Sequence, residues 1–410
     1  MSNARTFRCW SCGGGDLTPV LDLGRTPLAN SLVRPEDAAK SDAAFPLELA
    51  YCRECALVQI TESVPPTDLF SEYLYFSSFS DTMLRHARTL VERLTRERRL
   101  GPESLVVEVA SNDGYLLQYY RDAGVQVLGV EPAQNIAKVA VEKGIPTVAD
   151  FFGDALAAKL RAEGRRASVM HANNVLAHVP DLNGFVRGFK TLLADDGVAV
   201  FEAPYVRDMI EGVEFDTIYH EHLCYFSLTA LDALFRRNGL AVVRVERVPI
   251  HGGSLRVFVS HEGTSPDETV AATLADERRE GIDSLAYYEQ FSRRVMDLKR
   301  VLVALLRDLK KGGARIAAYG ASAKGSTLLN SFGIGADLID FVVDRSTYKQ
   351  GRLTPGTHLP IRAPEALLSD QPDYALLLTW NFEAEILAQQ AEYRARGGRF
   401  IVPVPSVRVL

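Results

Sequence analysis

Apolar and polar positions along the chain fall into two stretches of strand–helix alternation, preceded by a segment with neither period. From about residue 100, apolar runs of buried-strand length occur at 106–110 (VVEVA), 125–130 (VQVLGV), 168–173 (SVMHAN) and 197–203 (GVAVFEA). Stretches with helical spacing, such as 135–143 and 181–193, lie between them. That alternation predicts a parallel, doubly wound α/β sheet. Two further runs, 241–249 and 254–260, flank His251-Gly252-Gly253 and predict an antiparallel hairpin closing the sheet's edge. A polar, acidic stretch over 264–283 reads as a separator, and 284–310 reads as one long helical run. Alternation resumes at 314–320 and continues through 338–344, 374–380 and 399–405. Residues 1 to about 70 are short in helical periodicity and read as loop-rich. The expected organisation is a small module over 1–70, a first Rossmann-like unit over 71–283 and a second over 284–410, in line with two or three domains for 410 residues.

Composition narrows the class without naming a chemistry. The chain is 47% hydrophobic and 24% charged, as a soluble globular protein is, and no apolar run approaches a membrane span. The first ten residues, MSNARTFRCW, lack the apolar core of a secretion signal, so a cytoplasmic location is expected. The net charge of −6 and the absence of a basic stripe argue against nucleic acid as partner, while leaving room for a small anion at a local positive site. No coiled-coil pattern demands assembly, and a monomer is expected.

The cysteines add a metal. Four of the five form two C-x-x-C pairs, Cys9/Cys12 and Cys52/Cys55, and Cys224 stands alone. Four thiolates on two tight knuckles suit a tetrahedral, structural Zn²⁺, with no open position for a catalytic water. Unligated thiols are the alternative.

The first α/β unit carries the marks of a nucleoside site. Glu108 lies in the strand that runs into Ser111-Asn112-Asp113-Gly114, where Gly114 allows close backbone approach. Glu131, followed by Pro132 at a helix start, ends the next strand and is placed to accept ribose hydroxyls. Asp150 and Phe151 after the third strand suit an adenine, and Asn173 and Asn174 after the fourth suit a methionine end; Ala110 completes the first turn. G-x-G-x-x-G is absent, which disfavours a nicotinamide enzyme, and the closing hairpin favours a class I methyltransferase using S-adenosylmethionine. For Glu108 and Asp150 a plain helix cap is the alternative, and for Glu131 a surface acid.

Tyr219-His220-Glu221-His222 packs two imidazoles, a carboxylate and a phenol into four residues, any of which can handle protons. If the run is extended, His220 and His222 share a face with Glu221 opposite. A metal site or satisfied core histidines are the alternatives. In the second unit, the loop from Gly320 through Ser322, Lys324, Gly325 and Ser326 joins a strand to a helix as an anion cradle for a diphosphate. Its Lys-Gly order is not that of a Walker loop, and a tight packing turn is the alternative. Lys349 is expected to complete that pocket, and Asp344 there could equally serve a dinucleotide.

These motifs together resemble the sugar C-methyltransferases of deoxysugar biosynthesis, most closely those acting at C-3′ of a thymidine-diphosphate-linked amino keto sugar en route to D-tetronitrose. The likeness spans CWSC and CREC, VVEVASNDGYLL, HANNVLAHVPDL, DTIYHEHLCYFS, HGGSLR, YGASAKGSTLLN and KQGRLTPGTHLPI. It implies a TDP-sugar substrate with a ketone at C-4′ and a methyl acceptor at C-3′, deprotonated to an enolate. It further implies His222 as base, Tyr219 with His178 or Glu221 orienting it or holding the enolate oxygen, and Tyr73 closing over the donor. His251 joins the cradle residues as a sugar-nucleotide contact, with Lys324 near a phosphate and the reaction in the cleft between the two α/β units. O- or N-methylation of a nucleotide sugar is the enzymatic alternative, and a sugar-nucleotide binding protein without chemistry the other.

Overall fold

The apolar run Leu105–Val109 lies near the middle of a seven-stranded sheet in the computed structural model, which describes residues 7–65, 77–250 and 252–410. Tyr73 and His251 lie outside the described residues. Across the sheet the strands are Leu240–Val248, Ser254–His261, Leu193–Pro204, Ala167–Asn173, Leu105–Val109, Gln126–Val130 and Thr147–Val148. Ser254–His261 runs antiparallel to both neighbours, so the expected edge hairpin is present. The chain reverses its order of strand addition between Leu105–Val109 and Ala167–Asn173, and at such a switch the strands' carboxyl ends open a ligand crevice.

Helix Asp81–Glu97 covers one face of this sheet because Met83, Ala87, Leu90, Val91 and Leu94 fall on one stripe and are all buried. They pack with Val106, Val169, Val198, Val200 and Phe258. The same face carries a buried acid, Glu202, whose carboxylate accepts from Arg256 Nε at 2.6 Å and meets His86 Nε2 at 2.9 Å. Glu202 is fully enclosed, and those two partners compensate its loss of water.

The second unit is built on a six-stranded sheet in the order Ile361–Arg362, Val342–Val343, Ile316–Tyr319, Tyr374–Leu377, Arg399–Val402, Arg408–Val409. All neighbours are parallel except the last pair. Helix Leu285–Lys311 leads into it and buries Tyr288, Phe291, Val295, Leu298, Leu302 and Leu306 at three- and four-residue intervals.

Two expectations need correction. The N-terminal segment is not loop-rich: Leu17–Pro27, Ala44–Cys52 and Val58–Ile60 form an antiparallel sheet, closed by Cys224–Tyr225 from the first α/β unit. Its alternation is masked by Pro19, Gly24 and Pro27 and by register shifts after Pro19 and Asp22. The acidic stretch is not a plain separator either, because Glu268–Glu280 is a helix capped by Asp267. Its Glu277 is fully buried and accepts from Tyr205 Oη at 2.8 Å, from the amides of Leu228 and Thr229 at 2.6 and 2.8 Å, and from Thr229 Oγ1 at 2.7 Å. The carboxylate thus sits at the N-terminus of helix Leu228–Arg237, where negative charge is favoured.

Candidate active site

The four thiols converge. The sulfurs of Cys9, Cys12, Cys52 and Cys55 all lie within 4.8 Å of one another, with Cys9 to Cys55 at 3.5 Å and Cys12 to Cys52 at 3.6 Å. Zinc–sulfur bonds of about 2.3 Å in a tetrahedron put sulfurs about 3.8 Å apart, so the set fits Zn²⁺. The first knuckle turns through left-handed Gly13 (φ +73°), and the Gly14 amide donates to the Cys12 sulfur at 3.4 Å. A side chain at Gly14 would collide with the Glu54 carboxylate.

At the crevice of the large sheet, the first turn holds three left-handed residues in alternation: Ala110 (φ +54°), Asn112 (φ +50°) and Gly114 (φ +79°). Ala and Asn adopt this conformation at a cost that glycine avoids, which marks a turn held for a purpose. Glu131 follows the strand Gln126–Val130 and braces that turn: its carboxylate accepts from the Asn112 amide at 3.0 Å and from the Ala133 amide at 2.9 Å. Burial raises its pKa, and the two amides oppose the rise. Glu108 is enclosed, with Oε2 unpartnered among the described residues, and burial raises its pKa well above the usual range. The buried Oδ1 atoms of Asn173 and of left-handed Asn174 also lack partners among the described residues. Asp150 and Phe151 are exposed, with the Phe151 amide on Asp150 Oδ1 at 2.8 Å, and Pro132 is half-buried. A braced turn, an acid at the second strand's end and unsatisfied carbonyls beyond the fourth fit a nucleoside linked to an amino acid.

Tyr219 to His222 form a turn rather than an extended run, with the His222 amide on the Tyr219 carbonyl at 2.8 Å. The two histidines therefore part. His220 is buried against the N-terminal sheet, with Nε2 3.1 Å from the Pro46 carbonyl and its ring edge on Phe45. His222 faces the other way: its ring lies 4.1 Å from that of Tyr219 and 4.9 Å from that of His178, centre to centre. His222 Nδ1 is 2.8 Å from the Thr217 carbonyl, and Nε2 is 3.1 Å from Tyr219 Oη. A carbonyl only accepts, so Nδ1 carries the proton and Nε2 the lone pair in the neutral ring. His178 Nδ1 likewise bonds the Glu221 carbonyl at 2.6 Å, and burial lowers its pKa, opposed by backbone acceptors. Glu221 Oε1 accepts from Asn30 Nδ2 at 2.6 Å, and burial raises the carboxyl's pKa.

The loop of the second unit is already partly occupied. Ser322 caps helix Ala323–Phe332, its hydroxyl accepting from the Gly325 amide at 3.1 Å, while the Ala321 amide donates to Asp344 Oδ2 at 2.8 Å. A side chain at Gly325 would meet Leu378 at 2.9 Å, so close packing also requires this glycine. Lys349 Nζ donates to the Ala321 carbonyl at 2.8 Å, and Ser326 is buried. Lys324 stands 3.5 Å from Glu214 Oε2 and over the Trp380 ring at 4.5 Å.

That contact exposes two acids the sequence reading passed over. Glu214 is buried and its pKa is pushed up to about 7 by desolvation, with Lys324 opposing. Asp216 is fully buried, accepts from Trp380 Nε1 at 2.7 Å, and has a pKa raised by burial. Their signal was an acid on alternate positions of an otherwise apolar segment, between buried Val213, Phe215 and Ile218. A surface hollow of about 350 Å³ lined by Arg207, Glu211, Tyr287 and Arg294 shares no residue with any of these groups. Among the described residues, no helix is long and apolar enough to cross a membrane.

Three family models match in succession: a domain described as zinc binding over residues 9–70, a methyltransferase domain over 82–245 and a C-methyltransferase C-terminal domain over 249–405. The C-methyltransferase NovU of Streptomyces niveus is 38% identical over 404 residues, 98% of this chain and 96% of that protein. Among solved structures, magnesium protoporphyrin IX methyltransferase of Synechocystis PCC 6803 with bound SAH covers 44% of this chain and 83% of its own, at 14% identity and a TM-score of 0.36. The CcbJ methyltransferase of Streptomyces caelestis covers 48% of this chain and 96% of its own, at 16% identity and a TM-score of 0.35.

Proposed function

The chain belongs to the S-adenosylmethionine-dependent C-methyltransferases, and from that premise we propose that it methylates C-3′ of a TDP-linked 4-keto deoxysugar through an enolate. The observation that carries the reading is the pair of contacts on His222: with Nδ1–H committed to the Thr217 carbonyl, Nε2 is the nitrogen left to take a proton from carbon. A C–H beside a ketone is acidic enough for an imidazole once the enolate oxygen has a donor. The Tyr219 hydroxyl is such a donor, and it moves from Nε2 to the oxygen as the base takes its proton. His178, edge-on to His222, keeps the ring in place.

In this reading Glu131 keeps one lone pair on each oxygen for the ribose hydroxyls after bracing Asn112 and Ala133. Glu108, Ala110, Asn112, Gly114, Pro132, Asp150, Phe151, Asn173 and Asn174 line the rest of the donor site. When bound, S-adenosylmethionine supplies an electrophilic methyl on a sulfonium, which the enolate carbon accepts. The diphosphate lies against the loop of Ser322, Lys324, Gly325, Ser326 and Lys349, where Lys324 exchanges Glu214 for a phosphate. Zinc sits on its four cysteines and takes no part in the reaction.

The test is turnover of a panel of TDP-linked keto sugars, with the methylated atom located by NMR and solvent deuterium uptake followed without donor. A new C–CH₃ bond at C-3′, with exchange at that carbon, is expected. Methylation at C-5′, the other carbon flanking the ketone, would keep the enolate and overturn the position. A methyl on oxygen or nitrogen would overturn the carbon-acid reading.

A further inference from the structure

The turn that carries His222 is held from outside its own unit. Its two inner side chains both dock on the N-terminal module: His220 on the Pro46 carbonyl, and Glu221 on Asn30. Pro46 pairs with Arg25 on the strand Leu17–Pro27, and Asn30 lies three residues beyond that strand's end. Asn30 is itself pinned on both sides. Behind it, the Ser31 amide bonds the Leu28 carbonyl at 3.1 Å; ahead of it, Val33 and Leu353 exchange both backbone hydrogen bonds, at 2.9 and 2.8 Å. Ala29 and Leu32 line a crevice with Gly320, Ala321, Ser322 and Ser326 of the second unit. The segment 28–33 is therefore a wedge of the zinc module between the histidine turn and the loop of the second unit.

We propose that Asn30 is a positioning residue of the catalytic turn: its amide holds the Glu221 carboxyl and thereby fixes the Glu221 carbonyl on which His178 is oriented. The assignment rests on the reading of His222 as base. It makes the zinc module a wall of the active site, acting through Asn30, Glu221 and His178 on the ring of His222. Among the described residues, Asn30 is the side chain hydrogen-bonded to the Glu221 carboxyl, and no titratable group lies in the segment 28–33. Burial and the Asn30 amide are what act on the Glu221 carboxyl. On its own turn stand Tyr219, His220 and His222, with His220 turned to Pro46, and His178 bonds its carbonyl rather than its carboxyl.

The experiment compares Asn30→Ala, Asn30→Asp and Asn30→Gln in the full-length, zinc-loaded protein. Loss of a hydrogen bond to a carboxylate predicts a fall in kcat of about 10- to 100-fold for Asn30→Ala, with KM for sugar nucleotide and donor within about twofold. Asn30→Gln, which restores an amide donor, should recover most of kcat. Asn30→Asp sets two carboxyls together, so its deficit should deepen from pH 6 to pH 8 as their shared proton is lost. Zinc content should stay at one equivalent in all three. Imidazole NMR of the resting protein, which needs no substrate, should show the His178 and His222 signals moved in Asn30→Ala. Unmoved imidazole signals, or a raised KM at unchanged kcat, would overturn the proposal. If no keto sugar is turned over, the NMR comparison still decides whether Asn30 positions the histidines.

Discussion

The Thr217 carbonyl accepts from His222 Nδ1 at 2.8 Å, and this single contact decides which nitrogen of the ring is basic. Asparagine presents its amide nitrogen at nearly the position of Nδ1, so His222→Asn keeps the bond to Thr217 while deleting Nε2. The variant should lose about 10²- to 10⁴-fold in kcat, the usual worth of a general base. Donor and sugar-nucleotide affinities, measured by calorimetry, should hold within about twofold. Near-normal turnover would remove His222 from the base role.

Ala110 reverses the usual sign of a glycine substitution. Glycine inside regular structure costs about 0.5–1 kcal/mol relative to alanine, but Ala110 sits at φ +54°, where an L side chain is strained. Ala110→Gly should therefore leave stability unchanged or raise it by up to about 1 kcal/mol. Urea unfolding checks this, and a clear drop in midpoint would show that the Ala110 methyl does more in packing than its backbone costs.

Zinc removal should reach the active site, because the sheet it staples also holds the histidine turn. Cys52 ends the strand Ala44–Cys52, which carries Pro46, the acceptor of His220. Chelation, or Cys52→Ser, should lower Tm and abolish turnover together, with about one zinc released per chain. Full turnover in a protein shown by metal analysis to lack zinc would break the link between the staple and the turn.

How far this was legible in the sequence follows from where each group finds its partners. The strands of both α/β units were readable because their centres, such as 106–109 and 375–378, are buried on both faces and so almost wholly apolar. The four zinc thiols were readable because each pair shares one local knuckle. The N-terminal strands were not, since Pro19, Gly24 and Pro27 interrupt their period and their register is set by long-range pairing with 44–52. Nor was the parting of His220 from His222, which depends on a turn docking on Pro46 and Asn30, 174 and 191 residues away. Glu277 did not stand out from the polar stretch over 264–283, because its partners, Tyr205, Leu228 and Thr229, lie elsewhere in the chain.

Glu214 carries the sharpest dependence on pH. Its carboxyl titrates at about 7 in the folded protein, because burial penalises the charged form more than Lys324 at 3.5 Å supports it. Between the ordinary carboxyl range and pH 7, the folded chain holds a proton that the unfolded chain has released. The folded state thus binds more protons, and stability falls as pH rises. The contribution is complete below about pH 4.5 and is lost as pH passes through 7. Glu214→Gln has no such proton, and the other titrating groups are common to both proteins and cancel in the difference. The stability of the variant relative to the parent should rise between pH 5 and pH 8, by on the order of 3 kcal/mol if the full shift is expressed. Lys324→Met, by removing the opposing charge, should raise the Glu214 pKa further and carry the decline to higher pH. Urea unfolding at pH 5, 6.5 and 8 measures all three proteins, and a parent-to-variant difference that does not change with pH would show that Glu214 folds and unfolds with the same proton affinity.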